Sequence, residues 1–211
     1  MSSEPRPILW DEDTQVDFAL PSGALYVPGA EDTLANMGRL VRWARDAGIV
    51  HVASADDHEL SDAEISLDPD YDVTWPPHCL RGTPGARRVP ETEQANPVVL
   101  GLDPLPPTAV AELIRGHREI LLLKKSVDAF DNPNTDAVLQ ALAPSEVVLF
   151  GLATDICDHF AILGLRARGY PVTFVEDAAR AISEERAAAC IAQWLELGVR
   201  FVRTDDVLAG L

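Results

Sequence analysis

The sequence predicts an α/β fold: a doubly wound parallel sheet of about six strands with helices on both faces. Short, continuous apolar runs recur along the chain, as strands covered on both sides require. Segments of helical period separate most of them, and such alternation builds βαβ units with right-handed crossovers. With 211 residues, 47% of them hydrophobic, the chain can bury one substantial core. No stretch reads as a linker, so residues 1–211 are expected to form one domain.

The first apolar run, residues 7–10, leads into Asp11-Glu12-Asp13-Thr14-Gln15-Val16-Asp17-Phe18. A carboxylate at the C-terminal end of a strand can serve as a general base or cap the following turn. With four acids in this short stretch, solvation or capping is expected for most, and catalysis for one or two at most. Leu34, Met37, Leu40, Val41 and Ala44 then mark a helical stripe.

The second run, residues 48–54, is followed by Asp56 and His58. Two residues apart on extended backbone, these side chains point the same way and could grip one cation, with Glu64 and His78 as further donors from the loop beyond. Ordinary loop polarity is the competing reading. Carboxylate and imidazole donors together suit Zn, Mn or Fe. Residues 56–106 are rich in Asp, Pro and Gly and lack periodicity, which marks a functional or a disordered loop. The segment Asp-Val-Thr-Trp-Pro-Pro-His-Cys, residues 72–79, carries rings that a disordered linker seldom contains.

The third run, residues 119–123, ends in Lys124-Lys125. An ammonium beside a thiol lowers its pKa, whereas on a surface it is merely solvated; placement opposite Cys157 and Asp13 decides between the two. The fourth run, residues 146–151, passes through Gly-Leu-Ala-Thr-Asp-Ile-Cys, residues 151–157. A strand turning sharply into a helix would leave Cys157 at the first helical turn, where the macrodipole favours a thiolate. A small buried hydrophobe is the alternative. Runs 171–176 and 199–202 complete the sheet, with Ile182, Cys190, Ile191, Trp194 and Leu197 contributing to another helical stripe. His51 reads as a core or rim histidine, and His117 with Arg118 as a solvated helix end. Ligands in such sheets bind beyond the carboxyl ends of the strands, so the polar residues there are the ones to weigh.

A net charge of −17 repels phosphate backbones and anionic lipid, which argues against nucleic-acid and membrane partners. No apolar stretch approaches membrane-spanning length, and the first seven residues lack a basic and apolar leader pattern. Three cysteines fit neither a disulfide framework nor a zinc ribbon, so reduced thiols and a cytoplasmic location are expected.

Together these residues carry a resemblance. Asp13-Thr14-Gln15-Val16-Asp17-Phe18, with Gly23-Ala24-Leu25 and Val27-Pro28-Gly29-Ala30, resembles the opening motif of the isochorismatase-like cysteine hydrolases. Trp75-Pro76-Pro77-His78-Cys79 and Gly82-Thr83-Pro84-Gly85-Ala86 resemble the signature of their nicotinamidase branch. Lys124 ahead of Asp128-Ala129-Phe130, and the turn from Gly151 to Cys157, are similar to further family motifs. The resemblance spans residues 8–202, and several motifs in one order are stronger than any one alone.

The resemblance implies a triad of Cys157 as nucleophile, Asp13 as proton carrier and Lys124 as stabiliser of the thiolate and transition state. It implies one divalent metal (Zn, Mn or Fe) on Asp56, His58 and His78, with Glu64 at the place of a further ligand. Phe18 and Trp75 would sandwich a flat ring. A cis peptide would fall at Leu152-Ala153, and the N–H groups of Ala153 and Cys157 would form an oxyanion hole. The implied reaction is hydrolysis of nicotinamide to nicotinate and ammonia through a thioester. Another small amide or a carbamoyl or ureido compound is the alternative substrate, and a silent binding protein the reading from another class. A small-molecule amide is thus the expected partner, with a homo-oligomer left open. Asp158-His159 depart from the family, which has a small apolar residue after the nucleophile. A carboxylate there is expected to disfavour the thiolate or reshape the pocket.

Overall fold

A computed structural model describes residues 6–210; the first five residues, and with them most of the leader expectation, lie outside it. The chain runs through β1 (Ile8–Glu12), α1 (Val16–Ala19), α2 (Leu34–Ala47), β2 (Val50–Asp56) and β3 (Val98–Leu100), then α3 (Pro107–Leu113) and β4 (Glu119–Lys124). It continues through α4 (Thr135–Leu142), β5 (Val147–Leu152), α5 (Cys157–Ala167), β6 (Val172–Arg180), α6 (Glu184–Glu196), β7 (Arg200–Val202) and α7 (Thr204–Leu208). All sheet pairings are parallel, in the order β3-β4-β2-β1-β5-β6-β7.

The sheet has seven strands where the sequence predicts six. The addition is β3, three residues on the edge, too short to give a periodic signal. It lies inside the stretch read as one long loop. A second correction concerns Ile182, which precedes α6 and lines a cleft rather than joining that helix's stripe.

Both sheet faces are covered. Ile8 and Trp10 of β1 join the core under α3, α4, α5 and α6, while Leu9 points into the core under α2 and α7. In α2, Met37, Leu40, Val41 and Ala44 are buried as their spacing requires, each large side chain contributing roughly 1.5–3 kcal/mol. Gly48 ends that helix in the left-handed region (φ 64°), its N–H bonding back to Ala44, the backbone conformation glycine adopts most cheaply.

The chain reverses direction across the sheet at β1. The strands β2, β4 and β3 lie to one side of it, and β5, β6 and β7 to the other. Crevices open at such switch points, beyond the strand ends. Asp13 follows β1 and Cys157 follows β5, so the two flank the switch.

Candidate active site

Of the two expectations for most acids at and after the end of β1, solvation fails, since all four are buried, whereas backbone capping fits Asp17. Asp11, Glu12 and Asp13 are fully buried and Asp17 nearly so. Each has a separate reason. Asp11 is paired with Arg88 and accepts from Thr14 Oγ1 at 2.8 Å. Glu12 accepts from Trp10 Nε1 at 2.6 Å. Asp17 accepts from the backbone N–H groups of Ala24 at 2.9 Å and Cys79 at 2.7 Å, tying α1 to the long loop.

Asp13 leaves the strand in the left-handed region (φ 50°), a conformation Asp tolerates better than most residues. Ser54 Oγ of β2 donates to Asp13 Oδ1 at 2.8 Å. Lys124 Nζ, at the end of β4, lies 2.7 Å from Asp13 Oδ2, 2.7 Å from Asp56 Oδ1 and 3.9 Å from Cys157 Sγ. The four side chains come from the ends of four different strands or the turns after them, and all are buried. This is the placement that turns Lys124 from a surface lysine into a site residue.

Burial opposes charge on every member. It pulls Lys124 down, but the carboxylates of Asp13 and Asp56 outweigh it and hold the ammonium well above the usual lysine range. Burial raises Asp56, yet Lys124 and the two facing histidines bring it well below a normal carboxylate. Burial also pushes the Cys157 thiol up, with Lys124 opposing and Asp13 adding to the rise. Asp13 is raised by burial and moderated by Lys124 and Ser54. The resting proton therefore belongs on sulfur, with a carboxylate of raised basicity across the same ammonium.

Cys157 opens α5, as the strand-turn-helix reading requires, and the Leu152-Ala153 peptide is cis. Asp158, next in sequence, is fully buried, and among the described residues neither carboxylate oxygen has a hydrogen-bond partner. Burial, then Asp13 and Asp155, push it well above the carboxylate range, and Glu12 is raised in the same way by burial and by Asp13. Burial thus favours the neutral form of both acids, which lie near a cluster whose one ammonium is already shared by two carboxylates. Favouring the neutral form of Asp158 eases the expected conflict with the thiolate. His159 turns away and accepts from Trp194 Nε1 at 3.0 Å.

Asp56, His58 and His78 each offer an atom within 4.8 Å of the others. Asp56 Oδ2 lies 3.6 Å from His58 Nε2 and 3.4 Å from His78 Nε2. Glu64 stands outside that mutual group, with Oε2 4.0 Å from His58 Nε2. Burial, followed by the charge of Asp56, lifts the Glu64 carboxyl to about 7. Among the described residues, His58 Nε2 and Glu64 Oε2 are buried without hydrogen-bond partners. Orphaned donor atoms of this kind, converging from carboxylate and imidazole, fit a divalent cation.

A cleft of about 330 Å³ joins the two constellations. Phe18 and Trp75 line it with Val127, Ile156 and Ile182, and its ionisable lining groups are Asp56, Glu64, His78 and Cys157. Ser54 and Val127 carried no site signal in the sequence, and Ile182 was read there as part of a helical stripe. Gln15 was also missed as a tie. Its amide accepts from Asp56 N–H at 2.7 Å and donates to the carbonyls of Asp56 at 2.8 Å and Ala86 at 2.9 Å.

The isochorismatase domain family matches residues 12–206. The chain belongs to the isochorismatase family. Within it, the chain is similar to the nicotinamidase of Escherichia coli (strain K12), 28% identical over 194 residues, covering 85% of this chain and 84% of the relative. A probable inactive nicotinamidase of Arabidopsis thaliana is 24% identical over 194 residues, covering 89% and 87%. Among solved structures, the pyrazinamidase of Pyrococcus horikoshii in complex with zinc superposes with a TM-score of 0.73 at 22% identity, covering 94% of this chain and 99% of that one. N-carbamoylsarcosine amidase from Thermoplasma acidophilum superposes with a TM-score of 0.72 at 23% identity, covering 95% and 97%. These two likenesses bear out the fold. No described helix is long and apolar enough to cross a membrane.

Proposed function

We propose that this family member hydrolyses a small, uncharged aromatic amide, with nicotinamide the substrate that fits best, through a thioester on Cys157. The observation that carries the reading is Lys124 set between Asp13, Asp56 and Cys157 Sγ, with Asp56 and Cys157 lining an aromatic cleft.

In this reading Asp13 takes the thiol proton as sulfur attacks the carboxamide carbon. Lys124 offsets the negative charge gathered by the two groups. The N–H groups of Ala153 and Cys157 receive the oxyanion. Collapse breaks the carbon–nitrogen bond, and Asp13 returns the proton to the departing ammonia. Asp13 then deprotonates a water, which cleaves the thioester and regenerates the thiol with release of the acid. Phe18 and Trp75 hold the ring between them, spending binding energy on orientation.

Asp56, His58 and His78, with Glu64 alongside, would hold one divalent ion, whose chemistry here is Lewis-acid binding of a ring nitrogen. A carbamoyl amino acid is the second substrate reading, prompted by the amidase among the structural neighbours. Its carboxylate would enter a cleft lined by Asp56 and Glu64 with no arginine or lysine on the wall, which argues for a neutral substrate.

The test is ammonia release from nicotinamide, benzamide and N-carbamoylsarcosine by metal-loaded protein. Nicotinamide should turn over fastest, Cys157→Ala should abolish turnover with metal content retained, and mass spectrometry of the quenched enzyme should show an acyl adduct. Full activity in Cys157→Ala would end the thiol mechanism, and preference for the carbamoyl acid would end the substrate assignment.

A further inference from the structure

Each histidine of the candidate metal site has a second ring nitrogen, and its partner decides which nitrogen keeps a lone pair for a cation. His78 resolves this locally. Its Nδ1 lies 2.7 Å from the carbonyl oxygen of Pro76, an acceptor only, so Nδ1 carries a hydrogen and Nε2 is the nitrogen that faces Asp56.

His58 is fully buried, and among the described residues no carbonyl hydrogen-bonds its ring. Its Nε2 faces Asp56 and Glu64, and its Nδ1 faces Asp62 Oδ2 at 3.4 Å. That contact is long for a hydrogen bond, but among the described residues Nδ1 has no hydrogen-bond partner, and Asp62 is held in place independently. Both of its carboxylate oxygens accept from Lys125 Nζ at 2.8 Å, and Oδ2 also accepts from Glu59 N–H at 2.8 Å. A turn closed by Asp62 N–H on the Glu59 carbonyl at 3.0 Å fixes the backbone.

We propose that Asp62 is a positioning residue for His58, clamped by Lys125, which keeps the hydrogen on Nδ1 and aims the Nε2 lone pair at the cation site. The inference rests on the metal-site reading above and adds to it two residues outside the ligand set. It also gives Lys125 a role. Lys124 and Lys125 are consecutive at the end of β4 and turn to opposite sides, one to the nucleophile, the other to the carboxylate behind a ligand. Arrangements of this type raise the donor strength of the imidazole and pre-set its ring plane.

A purely structural account is available for contrast. Lys125 and Asp62 are partly exposed, and ion pairs of that kind add little to stability. On that account, removing Asp62 changes nothing at the metal.

The experiment measures zinc affinity by competition with a chromophoric chelator for the full-length protein and for Asp62→Ala, Asp62→Asn, Lys125→Met and His58→Ala. Asp62→Ala should weaken zinc binding by about 10–100-fold. Asp62→Asn, which keeps an acceptor oxygen without the charge, should recover part of that loss, and Lys125→Met should lose less than Asp62→Ala. The rate of Cys157 alkylation in metal-free protein should be unchanged in Asp62→Ala, confirming an intact fold, and its KM for nicotinamide should rise more than its kcat falls. Zinc affinity in Asp62→Ala within twofold of the parent overturns the proposal if His58→Ala still loses the metal. If His58→Ala binds zinc as the parent does, the metal-site reading itself fails, and the proposal with it.

Discussion

Replacing Lys124 by Met shortens the side chain by one atom and removes its charge, and the geometry sets the size of the effect. The ammonium lies 2.7 Å from Asp13 and 2.7 Å from Asp56. At an effective dielectric of about 20, each contact is worth roughly 6 kcal/mol of gross Coulomb energy. Stripping water from the three groups costs several kcal/mol per ion and cancels much of this. The variant loses more than the net value of the pairs, because two buried carboxylates are left facing each other without a cation. Removing one partner of a buried pair costs about 3–5 kcal/mol. Lys124 is held above its usual range, so its contribution is complete below the ordinary lysine pKa and lost only as pH rises through the folded value. Asp56 is held below its range, so its contribution is complete above the ordinary carboxylate pKa and lost as pH falls through the folded value. Neutral pH lies inside both windows. In the Met variant burial pushes Asp13 and Asp56 up instead, so mild acid neutralises them and relieves the defect. Urea unfolding of chelator-treated protein, followed by tryptophan fluorescence, should show a deficit of about 3–5 kcal/mol near neutrality that narrows on mild acidification. A deficit below about 1 kcal/mol, the level of an exposed ion pair, or one that does not narrow, would refute the shared-ammonium account.

Asp158→Asn should leave the fold intact and stabilise it increasingly as pH rises. The native acid holds a proton that the unfolded chain releases, so the parent loses stability above the ordinary carboxylate pKa until the folded value is passed. Thermal midpoints across pH measure this, and a difference that shrinks with rising pH would mean that Asp158 is ionised. Gly85→Ala should destabilise, because a Cβ there would overlap the Asp17 carboxylate. Displacing that group releases the N–H groups of Ala24 and Cys79 at about 1.5–3 kcal/mol per charge-assisted bond, readable as a lowered thermal midpoint. Trp75→Ala should raise the KM for nicotinamide while the alkylation rate of Cys157 stays near that of the parent; an unchanged KM would remove Trp75 from the ring-binding wall.

Six apolar runs were enough to read the sheet, because buried parallel strands are continuous hydrophobic segments with nothing else to explain them. The edge strand β3 was not legible, since three residues give no period. For the acids of residues 11–17, solvation or capping was expected; backbone bonding fits Asp17, and solvation failed for a different reason. Asp11 pairs with Arg88 and Asp13 with Lys124, groups far along the chain whose approach no local pattern records. Strand alternation explains why Lys124 and Lys125 were hard to tell apart in sequence and so different in space. Asp56, His58 and His78 were legible as a cluster, whereas Glu64 stands at its edge, where donor type alone could not place it.

Gln15 joins segments 41 and 71 residues away through its contacts with Asp56 and Ala86. Contacts of such long sequence separation carry a high loop-closure cost and form only when the intervening chain is already arranged. The cleft therefore has no local precursor, since a chain with β1, β2 and β5 formed but the loop unattached has strands without a site. During refolding, recovery of turnover should trail recovery of secondary structure, which makes the enzyme's own activity a gauge of whether its most distant parts have met.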